Sequence, residues 1–383
     1  MNFFKSYTFR IYPSRNDLKI IKQCFAANRF VYNYILNLMI HNHKSRIKKS
    51  LYYYLQYLDT ILYENPWLQI CSKEILKINI FEIYTVFENN VYKCERNYEN
   101  IKYPKFKSRY NSLNSFRINC KDNDYVHIDL KKQKLYIRDF PLLTIRGYKK
   151  KVNFVSPIIS VTFLCRFDKK YYAVISVKES KKANHNNIDF SKMVGIDIGV
   201  KHLLVTSDGE FFENMHFGLK SERKLHLLKK QLSSKSKGSN NYIKIRKKLD
   251  YEYFKLRQQR KHYIYKVVNE IVDKYDIIFL EDLNVGSMLN NSNLSTMIRD
   301  ASFYKIMQIF ERKCLEKNKV LFKIDRFYPS SQLCSKCGML HPEYRNISKR
   351  VFECEFCGTV LDRDYNASLN ILNYGKKKFM NTF

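Results

Sequence analysis

The sequence predicts an α/β protein of several domains, because the spacing of apolar residues changes twice along its 383 residues. In the first hundred residues, apolar side chains recur every three or four positions, as in amphipathic helices. From Tyr103 to Lys178 the spacing falls towards two, as in half-buried strands. A second region of strands and helices begins at Met193. One hydrophobic core rarely serves a chain of this length, so two or three compact units are expected.

The first half divides into a helical part and a strand-rich part. The helical part runs from Arg15 to about Glu99, and Pro66 separates two helical stretches within it. The segments 125–140 and 159–178 each predict a pair of antiparallel strands around a polar turn. The loop from Lys178 to Lys192 is polar and charged, which favours a domain linker.

The second half opens with the apolar strand MVGIDIG. Two further strands follow, and Asp208-Gly209 predicts the hairpin turn between them. A long basic helical stretch comes next, interrupted by a Ser/Gly/Asn turn at Ser233 to Asn241. The strand DIIFLEDL, a helix over roughly Ile298 to Asn318 and the strand VLFKIDRFYP complete this part of the prediction.

The charge of the chain indicates a polyanionic partner. Lys and Arg number 69 against 36 Asp and Glu, so the formal net charge is +33. An AT-rich genome would enrich Lys but would enrich Glu equally, so it does not explain this excess. Fifteen of the basic residues lie between Lys220 and Lys261, against three acids. A solvated helical hairpin is one interpretation, but the imbalance of sign favours a surface that faces phosphates. The 30 Tyr and 27 Phe residues could also stack on bases.

The sequence indicates a cytosolic protein that does not bind membranes. The N-terminal segment MNFFKSYTFRIYPSR has no apolar run between its charged residues, so it predicts neither a secretory signal nor a transit peptide. No window approaches 18 uncharged apolar residues. In the cytosol the six scattered cysteines are expected to be reduced thiols that either belong to the core or are incidental; they are Cys24, Cys71, Cys94, Cys120, Cys165 and Cys314.

The other four cysteines predict a structural zinc site. Cys334 and Cys337 form one CxxC pair, and Cys354 and Cys357 form a second. Two such knuckles supply four thiolates, which complete a tetrahedral Zn²⁺ shell without an open position. A glycine follows each pair, at Gly338 and Gly358, where a knuckle turn needs positive φ. A redox CxxC would stand alone near a βαβ unit.

Three acids predict a metal-dependent phosphodiesterase. Asp197 lies within the apolar strand VGIDIG, Glu281 ends the strand IIFLEDL, and Asp364 lies in the predicted first turn of a helix. Mg²⁺ prefers oxygen ligands, and two such ions can activate water and stabilise a leaving oxygen. Each acid also has a structural interpretation. Asp197 could pair with a lysine, Glu281 could cap a turn, and Asp364 could be a first-turn acid favoured by the helix dipole.

Four neighbours of these acids are secondary candidates. Asp282 should point away from the face of Glu281 by strand alternation, and Asp362 precedes the helix start. Arg363 could contact a phosphate, and Asn366 could support the metal ligands.

The motifs together resemble the TnpB family, RNA-guided nucleases encoded by insertion sequences and related to the type V CRISPR effectors. The resemblance rests on GIDIG, FLEDLN, YPSSQLCSKCG, ECEFCG and DRDYNASLNIL, and extends to FRIYPSRNDLKIIKQCFAANRFVYNYIL and YPKFKSRYNSLNSF near the start. It implies that Asp197, Glu281 and Asp364 are the catalytic triad and bind Mg²⁺. The presence of all three argues against the nuclease-inactive relatives.

The resemblance also implies an architecture. A wedge β-barrel (1–14 and 103–190) would be interrupted by a helical recognition insert (15–102). An RNase H-like RuvC nuclease domain would follow (191–329), with its last segment (360–383) separated by the zinc-binding module (330–359).

Partners are implied as well: a guide RNA from the transposon end, and double-stranded target DNA matched by that guide beside a short flanking motif. The protein would be a monomer within a bacterial ribonucleoprotein, in the cytoplasm and at the nucleoid when on DNA. Two other functions stay open. One is a nuclease-inactive RNA-guided repressor or transposition regulator, and the other is a transposase or resolvase that joins strands.

Overall fold

The computed structural model describes nine stretches of the chain: 2–91, 102–108, 114–120, 125–138, 140–147, 157–180, 188–290, 292–346 and 348–381. The chain forms two compact units, Met1–Lys181 and Lys182–Phe383. The predicted linker spans this division, and its central residues 181–187 lie outside the described residues. The six-part domain division stays a prediction.

The first unit combines one sheet with a group of helices. Its helices are α1 (Arg15–Lys44), α2 (Leu51–Glu64), a 3-10 turn (Pro66–Ile70) and α3 (Lys73–Asn90). Its strands are β1 (Asn2–Tyr12), β2 (Asn114–Asn119), β3 (Val126–Asp129), β4 (Lys134–Ile137), β5 (Phe140–Arg146), β6 (Ile158–Cys165) and β7 (Tyr171–Ser180).

The sheet of the first unit is antiparallel and has the order β2-β6-β7-β1-β5-β4-β3. Its apolar face packs on the helices in one continuous core that includes Phe9, Val31, Ile80 and Phe163. The two predicted strand pairs are confirmed as β3–β4 and β6–β7. Among the described residues the edge strands β2 and β3 do not pair, so the predicted barrel is seen here as an open sheet.

The helical region has one more break than the sequence predicted. Pro66 ends the second helix as expected, but α1 already ends at Lys44, and Ser50 begins α2 by accepting a hydrogen bond from the Tyr53 N–H. A serine hydroxyl at this position satisfies a free N–H of the first turn. The last part of the predicted region, 92–99, lies outside the described residues.

The second unit has a five-stranded mixed sheet and a small two-stranded ribbon. The larger sheet contains β8 (Met193–Asp197), β9 (His202–Thr206), β10 (Phe211–Glu213), β11 (Ile277–Glu281) and β12 (Val320–Ile324); the ribbon pairs β13 (Val351–Glu353) with β14 (Val360–Asp362). The helices are α4 (Phe217–Ser233), α5 (Asn240–Lys274), α6 (Val285–Met288), α7 (Ser292–Ala301), α8 (Phe303–Lys317) and α9 (Arg363–Met380).

The larger sheet, ordered β10-β9-β8-β11-β12, has helices on both faces. Strand β11 runs parallel to β8 and β12, which places the C-terminal ends of these three strands at one edge. One face packs on α5 and α8 through Ile196 and Leu280, and the other packs on α9 through Phe279 and Ile371. A Cβ at Gly375 of α9 would lie 2.3 Å from the Phe279 ring, so only glycine permits this contact.

Two local predictions for the second unit have different outcomes. The hairpin turn is confirmed: Gly209 has φ +79° and donates to the Thr206 carbonyl over 3.0 Å between β9 and β10. The single helix over Ile298 to Asn318 is wrong, because Ser302, with φ +61°, ends α7 before α8 begins. Hydrophobic periodicity continues across this position, so it did not reveal the break.

The basic stretch is a helical hairpin made by α4 and the first half of α5. Leucines hold the two helices together; they are Leu225, Leu228, Leu249 and Leu256. Fourteen of the 15 basic residues between Lys220 and Lys261 are exposed, and the exception is Arg260. Arg260 pairs with the buried Asp300, which also accepts a 2.8 Å hydrogen bond from the Gly218 N–H.

Among the described residues of both units, no helix is both long enough and apolar enough to cross a membrane.

Candidate active site and cysteine cluster

Strand alternation brings the first two predicted acids to the same face of the sheet. Side chains two residues apart on a strand point to the same side. Met193 and Phe279 lie on the face covered by α9, so Asp197 on β8 and Glu281 on β11 point to that same face. The strands are parallel neighbours and pair Leu280 with Ile196, which puts the two acids at adjacent strand ends. Both side chains are partly buried.

The third acid reaches the same edge from α9. Asp362 caps this helix by accepting hydrogen bonds from the N–H groups of Asp364 and Tyr365, at 2.9 and 3.2 Å. The predicted first-turn position of Asp364 is therefore confirmed, and its side chain is 5% exposed. A Cβ at Gly199, two residues after Asp197, would lie 3.7 Å from Asp364 Oδ2.

The three acids influence one another electrostatically. Burial, followed by the charges of Glu281 and Asp364, raises the pKa of Asp197 well above its usual value. Burial also raises the pKa of Glu281, while the Ser330 hydrogen bond and the Arg363 charge oppose the rise. Carboxylates gathered in this way repel each other, and a bound cation would relieve the repulsion.

Two arginines lie beside Asp364. Arg363 Nη1 is 3.6 Å from Asp364 Oδ1, and Arg350 Nη1 is 3.8 Å from Asp364 Oδ2. Arg363 also donates to the Tyr344 carbonyl at 3.1 Å and to Ser331 Oγ at 3.3 Å. Arg363 is therefore held beside one oxygen of Asp364 while Arg350 lies near the other, and the two guanidinium groups compensate part of the negative charge.

The donor set of this edge fits a hard divalent cation. Carboxylate oxygens are the ligands that Mg²⁺ takes in proteins. Here two partly buried carboxylates and one buried carboxylate lie along the same edge of the sheet. The three carboxylates are more widely spaced than the cysteine thiols: within the described segments, the four cysteines are the one group of three or more His, Cys, Asp or Glu residues whose ligand atoms all lie within 4.8 Å of one another.

The four predicted cysteines come together in a second, separate cluster. Cys334 Sγ lies 3.6 Å from Cys357 Sγ, and Cys337 Sγ lies 3.5 Å from Cys354 Sγ. All four are free thiols, so no disulfide competes for them. Four sulfurs about 2.3 Å from a common tetrahedral centre would be separated by similar distances, so the cluster fits Zn²⁺.

Residues around the cysteines support this geometry. Both knuckle glycines have positive φ, +78° at Gly338 and +68° at Gly358, as the sequence predicted. His341 Nε2 lies 3.2 Å from Cys354 Sγ, and Thr359 Oγ1 lies 3.1 Å from Cys357 Sγ. Polar partners of this kind orient the ligands of a metal site.

Three polar residues lie beside the acids, and the sequence predicted the positions of only some of them. Ser330 donates a hydrogen bond to Glu281 Oε1, and no sequence signal distinguishes it from other serines. Asn366 uses both amide atoms on the backbone of Leu333 and Ser335, so they do not face the carboxylates. Asp282 pairs with Arg326, away from the face of Glu281, as strand alternation predicted.

Comparison with known families identifies the chain. Residues 174–292 match the OrfB family model of IS605 elements, described as "Probable transposase". Residues 303–371 match "Cas12f1-like, TNB domain", and residues 1–48 match the "Helix-turn-helix domain" of the OrfB group. The chain belongs to the TnpB/OrfB transposase family. In this TnpB-family chain, the range matched as helix-turn-helix contains one strand, β1, and one long helix, α1.

Related proteins extend the similarity over the chain. "Putative RNA-guided DNA endonuclease InsQ" of Escherichia coli (strain K12) is 25% identical over 98% of the TnpB-family chain and 93% of its own length. A "Putative RNA-guided DNA endonuclease" of Streptomyces pristinaespiralis is 34% identical, but the match covers 48% of this chain and 45% of that protein.

A solved structure shares the fold. The protein in a cryo-EM structure of a Cas12f1-sgRNA-target DNA complex aligns with a TM-score of 0.58 and 17% identity, covering 97% of this chain and 99% of that one. At this identity the similarity concerns the fold alone.

Proposed function

We propose that this protein is an RNA-guided, metal-dependent DNA endonuclease whose catalytic residues are Asp197, Glu281 and Asp364. The observation that carries the proposal is the arrival of three acids from β8, β11 and α9 at one sheet edge, where burial raises the pKa of the first two. Carboxylates are kept in such an unfavourable position when a function requires them.

The three carboxylates would hold two Mg²⁺ ions, and the chemistry that these ions would supply is activation of the attacking water and stabilisation of the leaving 3′-oxygen. Asp197 and Glu281, on rigid adjacent strands, set the spacing of the ligands. Asp364 completes the set from the start of α9, and at 5% exposure its side chain has little contact with bulk water. Arg363 and Arg350 hold the Asp364 carboxylate from both sides.

The remaining parts have supporting roles in this proposal. The four cysteines hold one structural Zn²⁺ ion. The exposed lysines and arginines of the α4–α5 hairpin contact nucleic-acid phosphates. The first unit supplies the wedge and the helical recognition insert, and the two units together bind a guide RNA and the DNA target that it matches. The related endonucleases and the shared Cas12f1 fold support this assignment.

Purification with RNA from the native locus tests the proposal. The RNA that copurifies is sequenced, and the complex is incubated with plasmids that carry a guide-matched target beside randomised flanks, with Mg²⁺ or with EDTA. We expect Mg²⁺-dependent cleavage of plasmids that share one flanking motif. The Asp197→Asn variant should bind the same targets without cutting them.

Other outcomes identify the alternative functions. Target retention without cleavage by the unmodified protein would indicate an RNA-guided repressor. Joined strands in place of free ends would indicate a transposase or resolvase. A protein that copurifies with no RNA would overturn the guided mechanism.

A further inference from the structure

The loop that leads into the cysteine cluster also contacts the acidic site. It leaves β12, passes through Ser330 and reaches Cys334 four residues later. Ser330 is 5% exposed and donates its hydroxyl hydrogen to Glu281 Oε1. The hydroxyl that orients the Glu281 carboxylate therefore belongs to the loop before Cys334 and not to β11.

Two buried asparagines of α9 hold this loop. Asn370 Nδ2 donates to the carbonyl oxygens of Ser330 at 2.8 Å and Leu333 at 2.6 Å. Asn366 Nδ2 donates to the Leu333 carbonyl at 2.7 Å, and Asn366 Oδ1 accepts from the Ser335 N–H at 2.9 Å. Asn366 is 0% exposed and Asn370 is 4% exposed. Their bonds therefore fix the backbone on both sides of Cys334.

The same helix carries Asp364 two residues before Asn366. Glu281 and Asp364 are thus linked through a continuous series of contacts: Glu281 to Ser330, Ser330 to Asn370, and Asn370 along α9 to Asp364. A metal ion bound to Cys334 would fix the position of that residue. It would therefore also fix the neighbouring Leu333 and Ser335, whose backbone Asn366 holds. Groups behind metal ligands orient them in this way, and their loss typically costs about 10- to 100-fold in metal affinity or activity.

We propose that Ser330, Asn366 and Asn370 are positioning residues that use the first cysteine knuckle to set Glu281 relative to Asp364. The four-cysteine module thereby becomes part of the machinery that orders the carboxylates. This inference rests on the proposed function, because it takes the three acids as the site of the divalent cation.

Binding of Mn²⁺ to the zinc-loaded protein without RNA or DNA tests the inference independently of cleavage. Free Mn²⁺ is quantified by its electron paramagnetic resonance signal, and the zinc content of every sample is measured. Ser330→Ala should weaken the Asp197-dependent Mn²⁺ site roughly 10-fold or more. Ser330→Thr, which keeps the hydroxyl, should restore most of the affinity.

The matched control is Ser348→Ala. Ser348 is an exposed serine in the cysteine module whose hydroxyl contacts Asn346, and its removal should leave Mn²⁺ affinity unchanged. Asn370→Leu provides a second measurement, because it removes both donated hydrogen bonds while filling the space. It should weaken Mn²⁺ binding in samples that retain zinc.

The outcomes separate the two proposals. Unchanged Mn²⁺ affinity in Ser330→Ala and in zinc-loaded Asn370→Leu would overturn the positioning role while leaving the acidic site intact. Absence of any Mn²⁺ site that Asp197→Asn removes would instead count against the proposed metal site itself.

Discussion

Gly195 of β8 lies against the backbone of α9 at Ser368: a Cβ at position 195 would be 2.3 Å from the Ser368 carbonyl oxygen. The same Cβ would be 2.5 Å from the Leu372 N atom. The strand that carries Asp197 and the helix that carries Asp364 therefore touch without a side chain between them. This contact sets how closely the two acids approach.

Gly195→Ala should destabilise the second unit and disturb the acidic site. Two backbone atoms of α9 obstruct the added methyl group and cannot move as a side chain does, so α9 must shift. Overpacking of this kind costs about 1–3 kcal/mol or more. Chemical denaturation measures the loss. Gly286→Ala is the control, because its Cβ would meet nothing closer than 3.4 Å. Equal stability of the two variants would contradict this account of the strand–helix contact.

Asp197→Asn should raise the melting temperature of the protein without Mg²⁺ at neutral pH. Burial and two neighbouring acids raise the pKa of Asp197, so its ionisation costs folding free energy. The neutral amide avoids this cost, and each kcal/mol gained corresponds to about 2–4 °C in a domain of this size. Calorimetry with and without Mg²⁺ measures both effects. Mg²⁺ should stabilise the unmodified protein more than the variant.

The difference in stability between the unmodified protein and Asp197→Asn should depend on pH. Because the pKa values of Asp197 and Glu281 are raised on folding, the folded chain binds more protons than the unfolded chain between the unfolded and the folded pKa. Stability from these groups is therefore present at low pH and is lost as pH rises through the folded pKa. Without Mg²⁺, the advantage of Asp197→Asn should be small near pH 4, the ordinary carboxyl value, and grow towards neutrality. An advantage that does not change with pH would exclude this origin.

Cys334→Ser should abolish stoichiometric zinc binding. Cys334 is 1% exposed and lies 3.6 Å from Cys357 Sγ, so a serine leaves three thiolates and a poor fourth ligand. The zinc content measured by elemental analysis should fall from one ion per chain to a small fraction of an ion. Cys165→Ser, in the first unit, should retain the metal. Full zinc occupancy in Cys334→Ser would show that the cluster does not bind zinc through four cysteines.

Charge reversal on the α4–α5 hairpin should weaken nucleic-acid binding and its dependence on salt. Lys244, Lys247 and Lys248 are exposed in the first turns of α5. If each contacts a phosphate, each lost contact lowers the slope of log binding constant against log salt by about 0.9. Fluorescence anisotropy at several salt concentrations measures this. Lys305→Glu on α8 makes the same change of charge outside the hairpin as Lys→Glu at any one of these three positions. An equal effect of Lys305→Glu and of a single hairpin substitution would indicate a general effect of net charge.

Much of the candidate site was predictable because its signals are local. The CxxC pairs, their glycines and the acids at strand ends are defined by a few neighbouring residues, and the structure places them as the local pattern indicates. The break at Ser302 was missed because periodicity reports which face is apolar and not whether the backbone continues as one helix.

The sequence by itself determined the chemistry of this protein: four thiols in two knuckles, three acids in order along the chain, and a strong excess of basic residues. Only the tertiary structure decided which common polar residues serve that chemistry. Ser330, Asn366 and Asn370 have no local sequence signal that separates them from other serines and asparagines, and their roles come from partners 31 to 49 residues away. Short hydrogen bonds of this kind depend on how strands and helices pack, and packing is a property of distant segments that no local pattern records.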